Sequence, residues 1–191
     1  MLLRTGLILV LGANALQAQE AAQGQDIAAL MQTLPEKTLK KLRSAPDAFL
    51  EDAAGLIYGF GAAGSIDAAG IDAFVAVERA QVRAASMERY LAADLDNDGD
   101  IARGEMVILA TAAAAGKRGA LYLGFDLADA DSDAVLTHGE LRNHAQSEAM
   151  DKMSDADAEI LQGFMMFDLD GDGLVTMKEV VSGVRAMVER A

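Results

Sequence analysis

Apolar and polar positions divide this chain into helix-forming stretches that are separated by short polar clusters. The segment TLPEKTLKKLR predicts a short helix, with Thr33 as its N-cap and with Pro35 and Glu36 in its first turn. A second helix is expected to begin near Ser44–Asp47, which includes Pro46, and to run towards Tyr58. Beyond Pro46 the chain contains no further proline and is punctuated by glycines and acidic clusters. The pattern predicts helices that are joined by glycine- and aspartate-rich loops.

Three of the polar clusters share one spacing of acidic side chains over twelve residues. They read DLDNDGDIARGE at 94–105, DADSDAVLTHGE at 129–140 and DLDGDGLVTMKE at 168–179. Each has aspartate at positions 1, 3 and 5 and glutamate at position 12. Carboxylates at this density repel one another unless a cation lies among them, and Ca²⁺ takes about six to eight oxygen ligands. The spacing therefore predicts cation sites.

These three loops resemble the calcium-binding loop of the EF-hand superfamily. The resemblance implies that side chains at positions 1, 3, 5 and 9 and the backbone carbonyl at position 7 face the ion, while the glutamate at position 12 contributes both oxygens. The ligand positions that it implies are Asp94, Asp96, Asp98, Asp100, Glu105, Asp129, Asp131, Asp133, Val135, Thr137, Glu140, Asp168, Asp170, Asp172, Leu174, Thr176 and Glu179.

One of the three loops departs from the pattern at position 6, where the chain turns sharply. Ala134 replaces the glycine that the other two loops have there. A β-carbon in such a turn costs roughly 1 kcal/mol, but all the acidic ligands remain. We therefore predict two strong calcium sites, at 94–105 and 168–179, and a weaker one at 129–140.

A fourth segment, residues 59–70, aligns with the loops but lacks their acids. It reads GFGAAGSIDAAG, with Gly64 at position 6, Ile66 at position 8 and Asp67 at position 9. We interpret it as a degenerate loop that cannot bind a metal through its side chains. An unrelated glycine-rich turn is the alternative interpretation.

The four segments predict an all-α fold of paired EF-hands, with tiny two-stranded β bridges between loops. The resemblance covers about residues 46–190 and implies a four-repeat, calmodulin-like arrangement in two lobes. Consecutive repeats are expected to pair through position 8, Ile66 with Ile101 and Leu136 with Val175. The predicted divisions are a signal peptide (1–18), a polar spacer with a short helix (19–45), an N-terminal pair (46–116), a joint at 116–119 and a C-terminal pair (119–191).

The first residues have the layout of a secretory signal peptide. Arg4 is followed by an apolar stretch from Gly6 to about Gly12 and then by small residues, so cleavage after Ala15 or Ala18 is expected. The apolar stretch is shorter than the roughly 20 residues that a bilayer span needs. We expect an exported protein, periplasmic or secreted, without a permanent membrane span.

Charge and composition narrow the possible partners and activities. The net charge is −14, which disfavours nucleic acid and favours cations as partners. The chain has no cysteine, which excludes disulfides, thiolate zinc sites and cysteine nucleophiles. The sequence shows no serine with a supporting histidine and aspartate, and no glycine-rich loop of the kind that binds nucleotides. Neither pattern that would indicate an enzyme is therefore recognised. We therefore expect a calcium-binding protein and not an enzyme.

Two functions remain open at this point. Methionines of the predicted C-terminal pair suit a groove for varied partners, although methionine at helical spacing is also ordinary core. They are Met150, Met153, Met165, Met166, Met177 and Met187. The chain is expected to be either a calcium-responsive module that binds an amphipathic helix of a protein partner, or a calcium-stabilised structural or calcium-buffering protein without a conformational switch.

Overall fold

The computed structural model describes residues 34–189, and most of this part of the chain is helical. The predicted signal peptide, the start of the spacer and Thr33 lie outside the described residues. The helices are α1 (Glu36–Ser44), α2 (Pro46–Phe60), α3 (Ala68–Leu91), α4 (Arg103–Thr111), α5 (Ala115–Ala128), α6 (His138–Lys152), α7 (Asp155–Gln162) and α8 (Met177–Val188), with a 3₁₀ helix at Gly163–Phe167. The strands are β1 (Ser65–Ile66), β2 (Ile101–Ala102), β3 (Val135–Leu136) and β4 (Val175–Thr176).

The predicted fold class is confirmed in its coarse form, since the described chain is mainly α with only small antiparallel strand pairs. Both predicted N-terminal helices are present. Pro46 is the first residue of α2, where its missing N–H costs nothing. Pro35 is the N-cap of α1 and not part of its first turn, because the helix begins at Glu36. No described helix has the length and apolar character that crossing a membrane requires.

The chain forms two compact units. Within the described residues, unit 1 comprises 34–74 and 159–189, and unit 2 comprises Val75–Ala158. Each unit has its own hydrophobic core. The buried core of unit 1 consists of Leu34, Leu42, Phe49, Ala53, Leu56, Ile57, Ile66, Ile71, Phe164, Phe167, Val175, Val180, Val184 and Met187. That of unit 2 consists of Tyr90, Ala93, Ile101, Met106, Ala110, Leu121, Phe125, Ala128, Leu136 and Leu141.

The strands pair through position 8 as expected, but the predicted partners are wrong. In unit 1, β1 pairs antiparallel with β4 and places Ile66 opposite Val175. In unit 2, β2 pairs antiparallel with β3 and places Ile101 opposite Leu136. All four side chains are buried. The first segment therefore pairs with the fourth, and the second pairs with the third.

The length of α3 explains this pairing. Ala68–Leu91 forms one uninterrupted helix of 24 residues, and a helix of that length separates its two ends by about 36 Å. The loops at opposite ends of α3 therefore cannot form a bridge with each other. By contrast, α4 and α5 are separated only by residues 112–114, and the chain folds back there. The joint predicted at 116–119 lies inside α5, not at a division between the units.

Candidate metal centres

The carboxylates at positions 1, 3 and 12 converge in each acidic loop. One oxygen from each of the three side chains lies within 4.8 Å of the other two, so each set can hold a metal ion. The sets are Asp94, Asp96 and Glu105; Asp129, Asp131 and Glu140; and Asp168, Asp170 and Glu179. Nine of the predicted ligand residues are thus brought together in three groups.

The position-5 aspartates are not members of these groups. Their carboxylates accept hydrogen bonds from the backbone N–H of position 7, at 2.8 to 2.9 Å. The donors are Asp100, Val135 and Leu174, and the acceptors are Asp98, Asp133 and Asp172. These contacts order the turn that contains position 7, whose backbone carbonyl is a predicted ligand.

The position-1 and position-3 aspartates also shape the backbone of each loop. Position 1 accepts from the N–H of position 6, at 3.3 Å for Asp94, 3.0 Å for Asp129 and 2.8 Å for Asp168. Position 3 accepts from the N–H of position 5 at 3.2 to 3.3 Å in all three loops. The three loops therefore share one network of carboxylate-to-backbone hydrogen bonds.

Two positions in each loop have left-handed backbone. Position 6 is Gly99 at φ 93°, Ala134 at φ 66° and Gly173 at φ 84°. Sequence reasoning identified this position but missed position 4, where φ is also positive. The residues there are Asn97, Ser132 and Gly171. Asparagine and glycine tolerate positive φ, so Asn97 and Gly171 could have indicated this conformation from the sequence. Serine has no such preference, so Ser132 gave no indication of it.

The position-12 glutamates close each loop through their two oxygens. Glu105 accepts from the N–H of Leu95 and of Ala102, both at 2.8 Å. The equivalent bonds to Glu140 and Glu179 measure 2.8 to 3.0 Å. The backbone N–H of Ala102 is the main cause of a lowered pKa of Glu105, and that of Thr137 has the same effect on the pKa of Glu140. These donors favour the charged carboxylates that a cation requires.

The two position-9 threonines cap the helices that follow their loops. Thr137 Oγ1 accepts from the N–H of Glu140 at 3.3 Å and donates to its Oε2 at 2.8 Å. Thr176 and Glu179 make the same pair of bonds, at 3.3 and 2.7 Å. Position 9 of the remaining loop is Ala102, which has no hydroxyl. The threonines therefore fix the closing glutamates at the first turn of α6 and α8.

One carboxylate oxygen of the first acidic loop lacks a partner that a cation could supply. Asp94 Oδ1 is buried, and within the described part of the chain it has no hydrogen-bond partner. A buried carboxylate oxygen without a partner is costly. Asp94 belongs to the group with Asp96 and Glu105, and an ion in that group would satisfy the oxygen.

The two loops of unit 2 are joined by more than the β2–β3 bridge. The N–H of Arg103 donates to the carbonyl of Ala134 at 2.9 Å, and the N–H of His138 donates to Asp100 Oδ1 at 3.3 Å. The loops 94–105 and 129–140 therefore form a pair of acidic clusters that share a backbone connection.

The partner of loop 168–179 in unit 1 has a different structure. Segment 59–70 is not an open loop, because α2 continues to Phe60 and a tight turn follows. Ala62 and Ser65 exchange two backbone hydrogen bonds, at 2.8 and 3.1 Å, across Ala63 and Gly64, which both have positive φ. This is a two-residue hairpin turn of the kind that matches strand twist. Its one carboxylate, Asp67, accepts from the N–H of Gly70 at 2.8 Å and so caps α3.

The three carboxylate groups include neither a histidine nor a methionine, although His138 and Met177 each occupy position 10 of an acidic loop. His138 is exposed, whereas His144 lies 3.5 Å from both Tyr90 Oη and Glu148 Oε1 and links α3 with α6. The six methionines are divided between the two units. Met150 and Met153 belong to unit 2, while the other four belong to unit 1, where Met187 is a core residue. The predicted single lobe of methionines is therefore divided between the units.

Comparison of the chain with protein-family models, with curated proteins and with solved structures finds no match.

Proposed function

We propose that this chain is an exported calcium-binding protein of the EF-hand superfamily, with Ca²⁺ sites at 94–105, 129–140 and 168–179. The observation that carries the proposal is the repetition of one arrangement in three loops. Each converges three carboxylates and orders the surrounding backbone through the same hydrogen bonds. The buried Asp94 Oδ1 supports it independently, since this oxygen has no hydrogen-bond partner among residues 34–189.

The donor set supports calcium over other metals. The three groups contain only carboxylates, with neither histidine nor cysteine. Oxygen-only sites suit hard cations such as Ca²⁺ and Mg²⁺, whereas Zn²⁺ sites favour nitrogen and sulfur. A twelve-residue loop closed by a glutamate that can offer both oxygens provides the larger coordination number that Ca²⁺ takes. In this assignment the bound ion supplies positive charge that neutralises the clustered carboxylates.

Two uses of these sites are compatible with the geometry. A calcium-responsive module that binds an amphipathic helix of a partner is supported by exposed apolar side chains in unit 2. Ile108 on α4 is 60% exposed, and Leu123 and Leu127 on α5 are 61% and 67% exposed. A calcium-stabilised structural or buffering protein is supported by Met187 and by Met165 and Met177, which pack in the core of unit 1. A hydrophobic dye that binds the chain more strongly with calcium than with chelator would favour the responsive module.

Calorimetric titration of the full chain with calcium tests the proposal. We expect three ions to bind, with 129–140 the weakest site because of the strained Ala134. Glu105→Gln and Glu179→Gln should each remove one strong site. Glu88→Gln, which changes an exposed glutamate on α3 outside the loops, is the matched control. Absence of binding at millimolar calcium would overturn the proposal.

A further inference from the structure

The outward face of α5 in unit 2 is apolar, although a surface helix normally carries charged or polar residues on that side. Four exposed, uncharged residues lie along it: Gly116, Ala120, Leu123 and Leu127. They are spaced by four, three and four residues, which is the spacing of a coiled-coil seam, and we call them the α5 seam. Leu123 and Leu127 are 61% and 67% exposed. The buried residues of α5, Leu121, Phe125 and Ala128, lie on the opposite side of the helix. The described chain therefore leaves an apolar seam uncovered.

The α5 seam is complementary in size to a second copy of itself. In an antiparallel pair that sets Leu127 opposite Gly116 of the second copy, Leu123 lies opposite Ala120 of that copy. Each leucine then faces a residue with little or no side chain, so the two helices can approach closely and fill the space between them. A Cβ at Gly116 would meet nothing within 4 Å in its own chain, so the fold of unit 2 does not require glycine there.

Charge is distributed unevenly along α5 and favours this antiparallel register. Lys117 and Arg118 lie in the first turn, whereas Asp126 lies in the last turn and loop 129–140, with four acidic side chains, follows it. The register brings the basic end of one helix against the acidic end of the other. A parallel pair would bring like ends together, and an antiparallel pair shifted to place Leu123 against Leu127 would bring the two Asp126 side chains together. Asp126 also pairs with Arg103 of its own chain, and the register keeps that ion pair.

We infer that the α5 seam is a self-association surface, on which two copies of this chain pair through antiparallel α5 helices about a twofold axis. A twofold interface uses the same patch on both copies, so one self-complementary helix is sufficient. The inference goes beyond the proposed function and does not depend on calcium binding. An anionic lipid surface fits this unit less well, because loops 94–105 and 129–140 contribute nine acidic side chains to it.

The small size of the seam implies a weak dimer. A helix of 14 residues is about 21 Å long, so the seam offers less than the roughly 800 Å² per partner of a standard interface. We expect a dissociation constant on the order of 10–100 µM.

Sedimentation equilibrium of the full chain, in chelator and in calcium, measures this association. The double variant Leu123→Gln with Leu127→Gln should weaken it at least about tenfold, because it removes the apolar side chains that the second copy covers. Tyr58→Gln is the matched control, since it changes a side chain that is 66% exposed on α2 of unit 1, and it should leave the association unchanged. A chain that remains monomeric at about 500 µM would overturn the inference.

Single cysteines test the register, since the chain has no cysteine of its own. Ala120→Cys lies beside the twofold axis and should form a disulfide with its own copy under a mild thiol oxidant, because a disulfide joins Cα atoms about 4.4–6.8 Å apart. Gly116→Cys lies about 16 Å along the helix from its copy. It should therefore cross-link with Leu127→Cys in a mixed sample and not with itself. Ala76→Cys, exposed on α3, measures the rate of random collision.

Two results would assign the α5 seam differently. Gly116→Cys that cross-links with itself as fast as Ala120→Cys does would show a parallel or non-specific contact and would contradict the inference. A monomeric chain that binds vesicles of anionic phospholipid, and loses this binding in the variant with Leu123→Gln and Leu127→Gln, would assign the seam to a lipid surface instead of a second copy.

Discussion

Units 1 and 2 use the same two-residue bridge between position-8 residues, but they surround it with different groups. In unit 1, Ile66 comes from a hairpin that backbone hydrogen bonds close, and Val175 comes from an acidic loop. In unit 2, Ile101 and Leu136 both come from acidic loops. The comparison shows that segment 59–70, which lacks the carboxylates of the acidic loops, contributes a strand and the core residue Ile66. Clustered acidic side chains are therefore unevenly distributed between the two units.

The pairing of the repeats also decides which sites influence each other. Consecutive pairing would have given each unit one complete acidic loop and one impaired loop. The observed pairing instead places loop 94–105 against 129–140 and leaves 168–179 with the hairpin. The strained Ala134 is therefore expected to affect 94–105 through the bridge and to have no effect on 168–179.

Removal of calcium should cause the largest difference in unfolding free energy between the two units. A ligand present at about 100 times its dissociation constant stabilises the folded state by about 2.7 kcal/mol per site. Chelator should therefore lower the unfolding free energy of unit 2 by about 5 kcal/mol and that of unit 1 by about 3 kcal/mol. Hydrogen exchange of core peptides from each unit in denaturant measures the two values.

The variant with both Glu105→Gln and Glu140→Gln is the control for that experiment. It should make unit 2 insensitive to calcium while unit 1 keeps its response. Equal losses in the two units of the unmodified chain would contradict the assignment of two ions to unit 2 and one to unit 1.

The polar contact between α3 and α6 in unit 2 gives a second, smaller expected effect. Burial raises the pKa of Tyr90, which keeps its hydroxyl protonated beside His144. A Cβ at Gly124 on α5 would overlap this hydroxyl. Gly124→Ala should therefore destabilise unit 2 by about 1–3 kcal/mol, as overpacking does in other cores, and should leave unit 1 unchanged.

Combining Gly124→Ala with Tyr90→Phe tests that explanation, because phenylalanine lacks the overlapping oxygen. The double variant should recover part of the loss, which denaturant unfolding measures as a coupling energy. Gly119→Ala, on the same helix with open space around it, is the control and should be neutral or slightly stabilising. A Gly124→Ala variant as stable as the unmodified chain would show that Tyr90 moves away without cost.

Much of the local structure could be predicted from the sequence because it depends on short-range spacing. The carboxylates at positions 1, 3 and 12 converge where their spacing indicated, and Pro46 starts the second helix. The burial of Ile66, Ile101, Leu136 and Val175 also followed from their common place in the four segments. These features require only the residues of one loop and its flanking helices.

The pairing of the loops could not be predicted from the spacing within one loop, because it depends on how far the helix between two loops continues. Between Gly70 and Leu91 the sequence contains neither glycine nor proline, which was the available signal for one long helix. The glycines at 116 and 119 suggested a joint, yet they are accommodated in the first turns of α5. Positive φ at Ser132 had no signal in its residue type, since the turn is imposed by the carboxylates around it.

The smallest expected effect concerns position 6, where the backbone is left-handed in both loops of unit 2 but the residue types differ. Ala134 has φ 66° at a position where the equivalent residues are Gly99 and Gly173. Glycine lacks the β-carbon that disfavours this conformation, so Ala134→Gly removes roughly 1 kcal/mol of strain from the ordered loop. If the loop becomes fully ordered only with its ion, the affinity of 129–140 should rise by up to about fivefold. Ala130→Gly, at exposed position 2 of the same loop and without positive φ, controls for the added chain flexibility. Calorimetry should show a smaller gain at 94–105 and none at 168–179, and a gain at all three sites would mean that Ala134 acts outside its own unit.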